Sequence, residues 1–220
     1  MSVKELTPIL AIETSDELCS AAVMLSEDSY AEINFQKKFV HSEKLMPMIS
    51  DLLENADLKL VDIKTLAVSM GPGSFTGLRI GLTIAKGLAA GRELPIIPVP
   101  TFDALAFQLS SLLPIDTSFI IANNANINEI YYAKYRVTEN QFEVLTTASL
   151  LEKSELSSLK EDGDLLFGNF TIEKKDFKTS SPTGSAVAKW AYIFGKDLVT
   201  FDHDLLEPNY LKNFVVKVKK

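Results

Sequence analysis

Apolar positions along this chain arrive in short blocks, and the spacing inside each block changes from place to place. Pro8 to Thr14 and Leu18 to Ser26 are apolar runs parted by Ser15-Asp16-Glu17, which predicts a strand, a tight turn and a second strand. Tyr30, Ile33 and Phe35 suggest a third strand between Tyr30 and Phe39. From His41 to Leu53 the period lengthens: Leu45, Met48, Ile49, Leu52 and Leu53 recur at helical spacing, with Ser42 as the expected N-cap and Pro47 as the expected kink. Leu66 to Met70 then reads as a buried strand, Leu78 to Ala90 as a helix and Pro95 to Pro100 as a short strand, and Thr101 opens another helix.

From about residue 117 the pattern restarts. Strands are predicted at Ser118 to Ala122, Ile130 to Val137 and Phe142 to Ala148, followed by a helix near Glu152 to Leu159. A short strand end at Leu165 to Gly168, a helix from Ala186 to Phe194 and a terminal turn at Glu207 to Leu211 complete the series. Three meandering strands, alternating elements and a reduced repetition of both predict two mixed α/β lobes, with ligands in the cleft between them. The expected division is 1–100 and 101–204, with 205–220 returning to the first lobe.

Composition narrows the classes. The chain has 220 residues, a formal net charge of −7 and one cysteine, Cys19, inside an apolar run. Negative charge opposes an independent grip on nucleic acid, since phosphate contacts supply most of that affinity. A single cysteine allows no intrachain disulfide, and a buried inert thiol is expected. The first continuous apolar stretch, Ile9 to Ile12, is too short for a signal-peptide core or a membrane span, so a cytoplasmic protein without a membrane role is expected. The basic stretch Lys212 to Lys220 carries no assigned role.

The chemistry concentrates in Gly71-Pro72-Gly73-Ser74-Phe75-Thr76-Gly77-Leu78-Arg79-Ile80-Gly81, at a strand-loop-helix junction. A Walker A loop would need Gly-Lys-Ser/Thr where Thr76 and Gly77 stand, and a dinucleotide fingerprint would need a third glycine at Thr76. Two roles remain open: a cradle of backbone N–H groups for an anion at a helix start, or a turn that lets the helix pack tightly. The anion or nucleotide candidates are Gly71, Gly73, Ser74, Thr76 and Gly77, with Glu13, Thr14 and Ser15 on the preceding turn. Ser74 or Thr76 could instead cap the helix, and Arg79 could cover its surface.

Five segments, Ile9-Leu10-Ala11-Ile12-Glu13-Thr14-Ser15, Cys19-Ser20-Ala21-Ala22-Val23, His41-Ser42-Glu43-Lys44-Leu45-Met46-Pro47-Met48-Ile49, Gly71 to Gly81 and Glu207-Pro208-Asn209-Tyr210-Leu211, together resemble the TsaB (YeaZ) family. The resemblance implies a two-lobed fold of the actin, hexokinase and Hsp70 kind. It also implies a non-catalytic role in bacterial tRNA modification, assisting a paralogue, TsaD, in placing a threonylcarbamoyl group on the adenosine next to the anticodon. A TsaE-like ATPase completes the implied complex, so ATP is used by the complex and the chain holds no cofactor of its own. tRNA would be met only through that complex.

Departures from relatives sharpen this expectation. TsaD-like proteins hold a metal through His-x-x-x-His, but the two histidines here, His41 and His203, lie far apart, and no metal site is expected. His41 is expected to be a capping or surface residue. Actin-like ATPases usually carry Asp in the first strand-turn, where this chain has Glu13. Relatives commonly carry Asp-Ala-Arg, two residues, then Glu-Val-Tyr, whereas this chain reads Asn124-Ala125-Asn126-Ile127-Asn128-Glu129-Ile130-Tyr131. The alternative function is a nucleotide-dependent ATPase or sugar-kinase-like enzyme with Asp103 or Asp116 as base; a metalloprotease lacks clustered ligands.

A partner surface is predicted on two helices. Gly77, Gly81, Ala85 and Ala89 recur every four residues, and Leu45, Met46, Met48, Ile49, Leu52 and Leu53 form a broad apolar face. These are the interface candidates for a homodimer and for a heterodimer with TsaD. The small residues could equally pack on the chain's own sheet.

Overall fold

The computed structural model describes residues 6–211. Strands β1 (Ile9–Glu13), β2 (Leu18–Ser26), β3 (Ser29–Gln36), β4 (Thr65–Ser69) and β5 (Ile96–Val99) form one sheet in the order β3-β2-β1-β4-β5. β1, β2 and β3 are an antiparallel meander, while β4 and β5 join in parallel through helical crossovers. β1 and β4 are buried along their whole length, because helices cover both faces of the sheet. Leu10, Ile12, Leu66 and Val68 point to one face, under α1 (His41–Asn55) and α2 (Phe75–Ala90). Ile9, Ala11 and Ala67 alternate to the other face, under α3 (Thr101–Ser110) and α5 (Gly184–Phe194).

The second sheet repeats this plan in reduced form. β6 (Ser118–Asn124), β7 (Glu129–Thr138), β8 (Gln141–Glu152) and β9 (Leu165–Phe167) are ordered β8-β7-β6-β9, again an antiparallel meander with a parallel fourth strand. Its crossover helix has shrunk to the single turn α4 (Leu156–Leu159). The helix predicted from Glu152 is therefore shorter than expected, since Glu152 still pairs with Glu129 at the end of β8. α3 lies between the sheets, with Ala104 in the first core and Phe102, Leu105 and Leu109 in the second.

Three sequence expectations need correction here. α1 starts at His41 behind Val40, without a side-chain cap, so Ser42 is inside the helix rather than its N-cap, and the helix runs on through Pro47. α2 begins at Phe75, ahead of the predicted Leu78, with Ser74 as N-cap accepting from the Gly77 N–H at 3.2 Å. The lobe boundary also moves. α5 falls within the segment assigned to the second lobe, yet it packs on β1 and β2; the Gly184 N–H donates to Ser20 Oγ at 2.7 Å and the Ser185 N–H to Glu32 at 2.6 Å. Thr200 then bridges to Ile96 at the edge of β5, so the chain is back on the first lobe well before residue 205.

Candidate functional site

The glycine segment and the β1–β2 turn meet directly. Gly77 lies so close to the backbone of Thr14 that a Cβ there would sit 2.0 Å from the Thr14 carbonyl oxygen. A Cβ on Gly73 would fall 2.5 Å from the Ser15 carbonyl oxygen, and one on Gly81 would fall 2.3 Å from Thr14 Oγ1. Thr14 Oγ1 donates to the Gly77 carbonyl at 2.8 Å, and the Ser74 N–H donates to the Ser15 carbonyl at 2.6 Å. The two segments expected to clasp phosphates are thus stitched to one another. Of the two roles open in the sequence, close packing accounts for Gly73, Gly77 and Gly81.

Several donors an anion would need are already occupied. The Gly71 N–H goes to Thr101 Oγ1 at 2.9 Å, and the Gly77 N–H goes to Ser74 Oγ. Gly71 itself sits at φ +105°, where Asn209 crosses it: a Cβ would meet the Asn209 carbonyl oxygen at 2.5 Å, and the Asn209 N–H donates to the Met70 carbonyl at 2.6 Å. Glu207 to Leu211 is accordingly a strap across the glycine loop, without regular secondary structure.

Glu13 is fully buried beneath this junction. Its carboxylate accepts from the Ser15 N–H and from Ser69 Oγ, tying β1 to the end of β4. Burial pushes its pKa up to about 7, with the two serines pulling the other way. Cys19, on the neighbouring strand, is buried and free, and burial together with Glu13 pushes its thiol up to about 11, which keeps it protonated and unreactive.

The lobes touch where the β1–β2 turn meets the segment just beyond β9. Asn169, just beyond β9, donates from Nδ2 to Asp16 of the β1–β2 turn at 2.9 Å. Its Oδ1 accepts from the Asn124 N–H at 2.6 Å, and Asn124 Nδ2 donates to the Asn169 carbonyl at 3.0 Å. Asn126 shapes the β6–β7 turn: its Oδ1 accepts from the N–H groups of Asn128 and Glu129 at 2.8 and 2.9 Å. The asparagines that replace charged residues of the relatives' motif therefore have structural duties. Asp16 and Asn169 carried no signal in the sequence, because they stand 153 positions apart and meet only when both lobes are built.

Other expectations are redistributed. His41 is buried, with Nε2 3.3 Å from the Leu18 carbonyl, so it is not a surface residue, and His203 Nε2 lies 2.8 Å from the Leu94 carbonyl. Asp116 is in the exposed turn before β6, whereas Asp103 accepts from the Tyr135 hydroxyl at 2.9 Å. Among the described residues no group of three or more His, Cys, Asp or Glu side chains could hold a metal ion, and no helix is long and apolar enough to cross a membrane.

The predicted partner surface is largely turned inward. Leu45, Met48, Ile49, Leu52 and Leu53 belong to the core beneath α1, and Ala85 and Ala89 belong to the same core beneath α2. Gly77 and Gly81 lie against Thr14. The physical reason is that α1 and α2 share one face of a single sheet, which takes most of the apolar width of both. Of the candidates, Met46 remains 44% exposed. The outer surface of the pair carries Phe75, Thr76, Arg79, Ile80, Thr83 and Ile84 along a groove of about 480 Å³. Arg79 closes its end, with the guanidinium 3.8 Å over the Phe75 ring and Nε donating to the Tyr210 hydroxyl at 2.8 Å. A second pocket of about 410 Å³ adjoins it at the start of α2, between Asp16, Lys38 and Ser42.

Two sheets of related strand order, joined around a central helix, make this a two-lobed α/β protein of the actin, hexokinase and Hsp70 kind. The solved structure of YeaZ from Pseudomonas aeruginosa shares the fold, with a TM-score of 0.75 over 92% of this chain and 99% of that one at 24% identity. Residues 36–218 match the family described as "TsaD: tRNA N6-adenosine threonylcarbamoyltransferase". The tRNA threonylcarbamoyladenosine biosynthesis protein TsaB of Haemophilus influenzae is 30% identical over 94% of each chain. Its Escherichia coli counterpart is 41% identical over 60% of this chain and 56% of its own. The chain belongs to the TsaB family, within the wider group that the TsaD description covers.

Proposed function

We propose that this chain is a non-catalytic subunit in the biosynthesis of threonylcarbamoyladenosine in tRNA, assembling with a TsaD-like catalytic paralogue through the outer surface of α1 and α2. The observation that carries this reading is the exposed groove along α2 beside Ser42 of α1: Phe75, 41% exposed, lines it with Arg79, Ile80 and Ile84, while the inner faces of both helices pack on the sheet. An aromatic ring beside a stacked arginine suits a protein partner, and Met46 of α1 is exposed as well. The name of the Haemophilus influenzae relative, matched over 94% of each chain, supplies the pathway. A non-catalytic role is supported by Glu13, whose carboxylate is sealed between strands and engaged by Ser15 and Ser69 rather than offered to a ligand. With a net charge of −7, contact with tRNA would come through the complex.

Light scattering after size exclusion tests this on the chain alone, on the TsaD-like protein of the same organism, and on their mixture. The expected result is a homodimer that gives way to a mixed complex. Thr83→Arg, on the exposed side of α2, should abolish mixing while leaving the melting temperature within about 2 °C of the parent, as surface changes usually do. Failure to mix at low salt, with and without nucleotide and with a TsaE-like ATPase added, would sink the proposal.

A further inference from the structure

Beside the glycine loop, a cavity of about 290 Å³ lies where the lobes meet. The loop contributes Gly71 and Pro72, the start of α3 contributes Pro100 and Asp103, β8 contributes Thr147, and the C-terminal strap contributes Asn209. We propose that this cavity seats a small primary ammonium compound, with the Asp103 carboxylate as its counter-charge.

The chemistry of the lining points to a cation. Pro72 and Pro100 have no N–H to offer. The Gly71 N–H is held by Thr101 Oγ1 at 2.9 Å, the Thr101 N–H by the Gly71 carbonyl at 2.9 Å, and the Asn209 N–H by the Met70 carbonyl at 2.6 Å. Of the lining residues, Gly71 and Asn209 therefore have their N–H groups already engaged, and the two prolines have none. Asp103, by contrast, receives the Tyr135 hydroxyl on Oδ1 at 2.9 Å, and among the described residues no Lys, Arg or His forms an ion pair with it. Burial raises its pKa, with the Tyr135 hydrogen bond pulling it back. Asp103 is half-buried at the cavity wall with one hydrogen-bond donor and, among the described residues, no cationic partner, so it can take a charge-assisted hydrogen bond from an ammonium group.

Size and walls define the rest of the ligand. Phe102, Val144 and Ala148 supply an apolar side suited to a short hydrocarbon body. The volume lies just below the ~300–1,000 Å³ usual for small-molecule sites, which favours a compound of a few heavy atoms over a nucleotide. Asp103 also stands in the first turn of α3, where a carboxylate offsets the helix dipole. That duty requires neither a cavity nor Tyr135, and it makes a different prediction for binding.

The test titrates n-propylammonium chloride into the full chain while following backbone amide resonances of Gly71, Thr147 and Asn209. n-Propanol and sodium propionate serve as neutral and anionic counterparts. Saturable shifts are expected with propylammonium only. Asp103→Asn, which keeps an acceptor for Tyr135, should weaken binding at least about tenfold through loss of the ionic hydrogen bond. Val144→Trp, at a partly exposed position of β8, should fill the cavity and remove the shifts while the chain stays folded. Saturable shifts of equal strength with propanol, wild-type affinity in Asp103→Asn, or no saturable shift in the wild-type chain would each overturn the proposal. None of these outcomes depends on whether the chain assembles with a TsaD-like partner.

Discussion

Gly77 and Gly87 lie ten positions apart on α2 and have opposite surroundings. Gly77 touches the Thr14 carbonyl, whereas a Cβ on Gly87 would meet nothing within 4 Å. Gly77→Ala should cost about 3 kcal/mol or more, because backbone on both sides must move. Gly87→Ala should stabilise by about 0.5–1 kcal/mol, through helix propensity and a less flexible unfolded chain. Urea denaturation of the two variants separates packing from conformational freedom. Glu13 supplies a pH dependence at the same scale. Its pKa is raised from 4.5 to about 7, so between those values the folded state holds a proton that the unfolded state has released. Stability from this group is therefore present at low pH and is lost as pH rises through that window, by on the order of 3 kcal/mol. Glu13→Gln should flatten the decline between pH 5 and 7, measured as denaturation midpoints across that range; an unchanged slope would assign it to other groups.

At the scale of elements, periodicity located most strands and helices, and its failures are informative. The apolar face of α1 was visible from Leu45 to Leu53, yet nothing in its spacing said whether a sheet or a partner would cover it. Burial of Leu45, Ile49 and Leu52 shows that the sheet does. Ser42 resembled a cap because it precedes the periodic residues, but Val40 takes that place and the helix begins one residue earlier than Ser42. α5 was found by its pattern and assigned to the wrong lobe, since helical periodicity does not name the surface it packs on. Ser20 identifies that surface by accepting the Gly184 N–H. Ser20→Ala should leave this buried donor without its partner, costing about 1–3 kcal/mol and raising amide exchange at the start of α5 ahead of the rest of the chain.

For the whole molecule, the decisive feature is that two lobes of actin-like plan are tied between the β1–β2 turn and the segment beyond β9. Asp16, Asn169 and Asn124 form one connected set, and Asp103 with Tyr135 forms another tie between α3 and β7. Asn169→Ala removes the hydrogen bonds of its side chain to both lobes and should destabilise by about 1–2 kcal/mol. Asp16→Ala removes only the inter-lobe one and should cost about 0.5–1 kcal/mol. A double-mutant cycle on the pair, read by denaturation, should show coupling; strictly additive effects would mean that the Asp16–Asn169 contact adds nothing to lobe closure.

The amino-acid sequence alone determined the succession of elements, the restart near residue 117, the burial of Cys19 and the prominence of the glycine loop. Each of these depends on backbone periods of two or 3.6 residues, or on the turn preferences of glycine and proline, which act over a few neighbouring positions. Tertiary structure decided that Gly73, Gly77 and Gly81 face Thr14 and Ser15, that α1 turns its broad face inward, and that Asn209 crosses Gly71. It also decided that Asp103 borders a cavity beside Asn209 and Thr147. Those outcomes depend on strand order and on contacts between residues distant in the chain, where local spacing carries no information about which surface will meet which.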